Sequence, residues 1–390
     1  MTARADASTT DQQPEYSFAD RELLVAISHR DVVLAAIAEL DHEARSVDED
    51  ADLGLSRLVV DELDDDLLRT LYAHFREEYD GWLPTIGKNR IVGRVTGSGQ
   101  LSWGGEGDPT PVAQLAGWPP RRSGAGRGVR VAILDTAAVD PSPLSGDWLD
   151  RYSDVRPLDP GVQPVYAGHA SFVAGLVLAN APAATVEVRQ VLEPETGTAY
   201  AWDVARAIVA ADRAGADVIN LSLVCYTADG QAPMALAHAI AQVSPETVVV
   251  AAAGNYGNNP DKSLQRRPAW PAALPRVLAV GAADREGVVA AFTPPNVPWI
   301  DVFTEGVGLD STFLKGQLQG GGEHAIAGGD RFDGFARWSG TSFAAGVFTG
   351  AIAAGVRPGR VTAKEALKSL LATGSRSAGS APFLPLLPER

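Results

Sequence analysis

One cysteine in 390 residues, Cys225, excludes an internal disulfide framework. A lone thiol flanked by apolar residues reads as a small buried hydrophobe rather than a reactive group. Cationic excess is also missing: 33 Lys and Arg stand against 48 Asp and Glu, for a net charge of −15. Such a chain lacks the clustered positive charge that phosphate contacts need, so neither nucleic acid nor an anionic membrane surface is expected as a partner. No apolar run reaches membrane-spanning length, because Gly, Pro or charge interrupts each one. The N-terminal stretch carries Asp6, Asp11 and Glu15 and has no basic segment followed by an apolar one, so no secretory signal is read there. A cytoplasmic protein is the resulting expectation. Internal repeats are absent as well.

What is present is a globular composition. The chain is 45% hydrophobic, and its 40 Gly and 26 Pro are scattered, which suits one large domain and a smaller one. Residues 1–19 read as a disordered arm. From 20 to 96 a small α+β module is expected, with strands at Leu23–Ile27, Leu58–Val60 and Ile91–Val95. Helices carry Val33, Ile37 and Leu40 in one case and Leu67, Leu68, Leu71 and Phe75 in the other, the second capped by Asp64. The acidic run Asp48–Asp52 reads as a loop. A Gly/Ser/Pro-rich linker spans 97–127.

From 128 to 374 the pattern changes to apolar strands alternating with small-residue helices, and 375–390 reads as a flexible tail. Strands are expected at Val129–Leu134, Val186–Leu192, Asp217–Leu223, Thr247–Ala253 and Val277–Val280, and helices at Ser171–Asn180, Trp202–Ala214 and Pro233–Val243. Strands written as continuous apolar runs belong to parallel sheets covered on both faces, so the fold class is α/β, a doubly wound, mostly parallel sheet. Thr362 with Glu365 forms a capping box for the last helix.

In such a sheet, functional groups gather beyond the carboxyl ends of the strands. Asp135 ends Val-Ala-Ile-Leu-Asp. Asn255 follows Ala-Ala-Ala-Gly at another strand end. His169 and Ser342 each open a helix of small residues, in Gly-His-Ala-Ser-Phe-Val-Ala-Gly and Ser-Gly-Thr-Ser-Phe-Ala-Ala-Gly. Singly, each has an ordinary explanation as a turn former, cap or surface group. Together they supply a hydroxyl nucleophile, an imidazole base, a carboxylate to fix the imidazole's tautomer, and an amide donor for an oxyanion.

The motifs around these residues resemble those of the subtilases, the subtilisin-like serine peptidases. The resemblance runs from about Gly128 to Gly374 and takes in Val-Ala-Ile-Leu-Asp-Thr, His-Ala-Ser-Phe-Val-Ala-Gly, Asp-Val-Ile-Asn-Leu-Ser-Leu from Asp217, Ala-Ala-Gly-Asn and Gly-Thr-Ser-Phe-Ala-Ala, in that chain order. It implies a subtilisin-like fold and a serine endopeptidase needing no cofactor. Ser342 would be the acylated nucleophile, His169 the base and then acid, Asp135 its orienting partner, and Asn255 the oxyanion donor. A protein or peptide substrate would add a strand along Ser222, Leu223 and Val224, while Ala253 and Gly254 would wall the pocket for the residue before the scissile bond, P1.

The N-terminal module resembles the family's prodomain in outline, which implies intramolecular inhibition through a tail laid in the cleft; an unrelated interaction domain is the other reading. Four positions depart from the family pattern. Ala137 and Ala170 stand where glycine is usual, and would be strained if those positions need positive φ. Gly346 replaces a common proline. Val224 replaces a glycine at the cleft, which narrows access and favours a small or unusual P1 residue, and with it a limited set of substrates. The Gly-rich stretch Gly316–Gly334 reads as a lid. Asp140, Asp147 and Asp150 lack diagnostic cation spacing, so no metal is expected. The competing function is a catalytically silent subtilase fold that serves as a binding or scaffold protein.

Overall fold

The computed structural model describes residues 18–94, 107–115, 118, 124–159, 161–193, 196–318, 331–374 and 381–387. The N-terminal module comprises β1 (Phe18–Ala26), α1 (Arg30–Glu39), β2 (Ala44–Asp50), β3 (Leu55–Val60), α2 (Asp65–Glu78) and β4 (Ile86–Arg94). Its sheet is antiparallel in the order β4-β1-β3-β2. Two expectations need correction. β2 occupies part of the acidic run expected to be a loop. The pairing is made by backbone groups, and an outer strand can carry charge on both faces, which hides it from a hydrophobic pattern. The first strand also begins at Phe18, inside the expected arm, whose residues 1–17 lie outside the described ones.

After β5 (Thr110–Pro111) comes the main sheet, with β6 (Arg130–Asp135) at its start. Two short paired strands follow, β7 (Ala138–Asp140) and β8 (Val155–Pro157), then β9 (Val162–Gln163), a 3₁₀ turn at Val165–Gly168, and α3 (His169–Asn180). Next are β10 (Thr185–Gln190), β11 (Thr198–Tyr200), α4 (Ala201–Arg213), β12 (Val218–Leu221), β13 (Leu223–Val224), α5 (Met234–Gln242) and β14 (Val248–Ala252). The chain continues through β15 (Val277–Ala283), β16 (Val302–Glu305), β17 (Leu309–Leu318), β18 (Arg331–Trp338), α6 (Thr341–Gly355) and α7 (Ala363–Leu371). The central sheet runs β10-β6-β12-β14-β15-β16, parallel throughout. The strand order reverses beside β6, which makes its carboxyl end a switch point.

Alternate side chains on these strands serve two cores. Val131, Ile133, Val248, Val250 and Val280 face α3 and α6, while Ala132, Leu134, Val249, Ala251 and Ala279 face α4 and α5. The second core is shared with the module: Leu24, Ala26, Leu55 and Val92 join it, whereas Leu23, Val25, Leu58 and Val60 pack on α1 and α2. One face of the module's sheet therefore lies on α4 and α5. Polar contacts fix the register of that docking. The Asn89 side-chain oxygen accepts from Trp202 N (3.0 Å) in the first turn of α4, and Arg206 Nε donates to Asp50 at 2.8 Å. Arg213 pairs with Asp52.

The Gly-rich stretch read as a lid is a hairpin of β17 and β18 at its two ends, with 319–330 outside the described residues. The tail also needs correction. Residues 381–387 lie against β16: Leu384 N donates to Phe303 O at 2.9 Å, and the Glu305 carboxylate accepts from Leu386 N and Leu387 N. A buried carboxylate that takes backbone N–H groups explains the ordering of a segment that is mostly Pro and Leu.

The small residues of α3 and α6 let the two helices meet closely. A methyl group at Gly350 would stand 2.6 Å from Val177 O and 2.9 Å from its Cα. Gly350→Ala is therefore expected to cost about 1–3 kcal/mol through forced separation of the helices, read by chemical denaturation. Asp203, at the docked face, has its carboxyl raised above the ordinary 3.8, chiefly by burial and against the pull of Arg57 and Arg206. The folded state then holds that proton more tightly than the unfolded chain. Its stabilisation is present below about pH 4 and lost as the pH rises. Asp203→Asn should raise the melting temperature at pH 7.5 and leave it nearly unchanged at pH 4.

Candidate active site

Asp135 closes β6 and is fully buried. Its carboxylate accepts from Thr136 N (2.6 Å) and faces His169 Nδ1 with both oxygens, at 2.8 and 2.9 Å. The imidazole is thereby held by Nδ1, which fixes the plane and direction of the ring. His169 is the first residue of α3, and the Thr136 hydroxyl accepts from Ala170 N, tying the helix start to the strand end. Trp338 stands edge-on to the imidazole at 5.6 Å, and Phe343 lies at 5.4 Å from it.

Ser342 is the second residue of α6, whose N-terminal end carries the partial positive charge of the helix dipole. Its hydroxyl is buried and has no hydrogen-bond partner among the described residues. Contacts of this kind commonly close only when substrate arrives. A buried polar chain fixes the backbone: the Thr349 hydroxyl donates to Asn220 Oδ1 (3.1 Å), Asn220 Nδ2 to Ser222 Oγ (2.9 Å), and Ser222 Oγ to Ser342 O (3.2 Å). Sequence reasoning missed Asn220 and Thr349. Asn220 stands in a quoted motif, but one mate of its side chain, Thr349, lies over a hundred residues away.

Asn255 follows β14 through Gly254, which has φ +96° and so suits glycine. Asn255 Oδ1 accepts from Thr341 N (3.1 Å) and the Thr341 hydroxyl (2.9 Å). A backbone N–H can only donate, so this atom is the carbonyl oxygen and the amide nitrogen is the donor end. Thr341 immediately precedes Ser342, so the Asn255 amide and the Ser342 turn share one anchor. The structure thus brings Asp135 and His169 into contact and links Asn255 to the turn that carries Ser342.

The strand expected to pair with an extended chain does so here with β4. Val224 is opposite Gly93 and Leu223 opposite Arg94, antiparallel, while β11 flanks the other side with Thr198 opposite Gly93, Ala199 opposite Val92 and Tyr200 opposite Ile91. Thirteen residues after Arg94, at Gly107, the chain rejoins the described residues. There the Trp338 indole N–H donates to Gly107 O (2.8 Å), and β5 pairs with β18.

The departures from the family pattern cause no backbone strain: neither Ala137 nor Ala170 is among the residues with positive φ. Gly346 faces Val173 across the α3–α6 contact. Asp140 and Asp150 accept hydrogen bonds within their own turns, from Ser145 Oγ and Tyr152 N. Among the described residues no cluster of His, Cys, Asp or Glu is arranged to hold a metal, and no helix is long and apolar enough to cross a membrane. Burial pushes the Cys225 thiol up to about 12, as befits a core residue.

A sequence profile of the subtilase family matches residues 126–380. Mycosin-3 of Mycobacterium tuberculosis (strain ATCC 25618 / H37Rv) is 30% identical over 348 residues, covering 73% of this chain and 71% of mycosin-3. Subtilisin E of Bacillus subtilis (strain 168) is 30% identical over 203 residues, 49% of this chain and 50% of that protein. In fold the chain is similar to fervidolysin from Fervidobacterium pennivorans, described as a keratinolytic enzyme related to subtilisin, with TM-score 0.64 and 18% identity over 95% of this chain and 62% of that one. The chain belongs to the subtilase family of serine endopeptidases.

Proposed function

We propose that Ser342, His169, Asp135 and Asn255 hydrolyse peptide bonds in a limited set of protein or peptide substrates, and that the N-terminal module is the first chain to occupy the cleft. Ser342 Oγ attacks the scissile carbonyl carbon as His169 Nε2 takes its proton. Asp135 holds the Nδ1–H and stabilises the imidazolium. The oxyanion accepts from Asn255 Nδ2 and the Ser342 backbone N–H, where the dipole of α6 adds to the field. On collapse, His169 returns the proton to the leaving amine. Water then repeats the sequence on the acyl-enzyme.

The observation that carries this reading is the doubly flanked position of β4. An extended segment bonded on both edges and running toward Ser222 is what a bound substrate requires. The chain lies on one side of the site at Arg94 and is bonded to Trp338, four residues before Ser342, at Gly107. Residues 95–106 must connect these points. We therefore place a cleavage in cis within 95–106, after which β4 remains as an occupant that substrate must displace. The Ser342 hydroxyl, which has no hydrogen-bond partner among the described residues, fits both this reading and the competing one, a silent fold.

Full-length protein and its Ser342→Ala variant, treated with a fluorophosphonate probe and read by intact mass, separate the two. One adduct and a cut within 95–106 are expected in the native chain, and neither in the variant. Asn255→Ala should keep the adduct but slow turnover about 10²–10³-fold. A native chain that takes no adduct, before or after removal of the module, would support the silent fold instead.

A further inference from the structure

On the serine-peptidase reading proposed above, a chain in the slot of β4 advances past Val224 and Leu223 toward Ser222, whose hydroxyl holds the Ser342 carbonyl. On that reading the side chain of the residue to be acylated would project between two stretches of backbone that meet at Gly254 and Tyr226. One is Ser222–Tyr226; the other is Ala253–Asn255, which ends in the oxyanion donor. A third stretch closes the space. Cys225 and Trp270 exchange backbone hydrogen bonds of 2.7 and 3.0 Å, which brings Ala269 beside Tyr226 and Gly254.

That space is occupied by the protein itself. A methyl group built on Gly254 would stand 2.5 Å from the Tyr226 hydroxyl oxygen and 3.4 Å from the Ala269 Cβ. The Tyr226 ring is stacked flat on Tyr256, with centroids 4.5 Å apart and planes 6° from parallel. Both rings are almost wholly buried, at 4% and 2% exposure, and Val224 beside them is at 5%. Moving Tyr226 aside would break the stack and expose a large apolar ring, a cost that an incoming side chain must meet from its own burial.

We propose that Tyr226 is the specificity-determining residue of this enzyme, and that its side chain fills the P1 pocket so that only Gly, Ala or Ser fits before the scissile bond. Tyr256 acts as a positioning residue by fixing the ring. Residues of the fitting size lie within the segment assigned to the cut in cis: Gly97, Ser98 and Gly99 follow Val95 and Thr96, whose β-branched side chains do not suit the pocket.

The test uses full-length protein and three phosphonate probes: a fluorophosphonate with no P1 side chain, and two peptidyl diphenyl phosphonates bearing the P1 groups of Ala and Phe. The fluorophosphonate reports Ser342, and the ratio of the other two reports the pocket. The Ala probe is expected to label at least about 100-fold faster than the Phe probe. In Tyr226→Ala the ratio should fall below about 10-fold. If that variant does not fold, Tyr226→Phe removes only the hydroxyl at Gly254. It should speed a P1 2-aminobutyrate probe several-fold relative to the Ala probe. A native chain labelled as fast by the Phe probe, or unchanged ratios in folded variants that the fluorophosphonate still labels, would overturn the proposal. A chain that no phosphonate labels would contradict the hydrolase reading instead.

Discussion

The pairing of β4 on both of its edges is the constraint on which the arrangement depends. Ile86–Arg94 belongs first to the module, where it bonds β1, and then runs out between β11 and β13 of the large domain. Backbone groups of a buried strand must be satisfied, and here two domains share the task. The same strand contributes Asn89 to the first turn of α4 and Val92 to the core beneath the sheet. Module and large domain are consequently joined by strand pairing, by a common apolar core and by the ion pairs of Arg206 and Arg213. Removing any one of these leaves the other two.

The groups proposed to react occupy the opposite limit of design, with little room and few degrees of freedom. Each sits where an element begins or ends: Asp135 at the end of β6, Asn255 just past β14, His169 and Ser342 at the starts of α3 and α6. Buried polar side chains tie these ends together. Thr136 joins β6 to α3, Thr341 joins Asn255 to α6, and the Thr349–Asn220–Ser222 chain holds the Ser342 carbonyl. Networks of this kind rigidify when fully satisfied, so the geometry of the site is inherited from the sheet and not from its loops.

The parts that could be read from the sequence are those written as local pattern. Strands β6, β12, β14 and β15 and helices α3, α4 and α5 lie within a few residues of their expected positions, because parallel strands buried on both faces are continuous apolar runs. The Asp135–His169 contact is the one that the resemblance implied, whereas the Asn255–Thr341 link was not legible in the motifs. What the sequence hid is long-range or charged. β2 is an outer strand whose acidic side chains mimic a loop. Leu384 is buried through a partner eighty residues away, at Thr304. Tyr226 gave no sign of its role, since only the fold shows that Gly254 leaves room for its hydroxyl, whereas Val224 next to it stood out as a departure from a glycine.

The proposed function requires β4 to lie in the cleft in solution. Amide hydrogen exchange on the uncleaved Ser342→Ala protein tests this directly. Amides within 91–94, 198–200 and 223–224 should exchange together, with protection comparable to that of β1 and β3 in the module's core. Exchange of 91–94 within seconds, while β1 and β3 stay protected, would show that the strand leaves the cleft freely and would contradict the account.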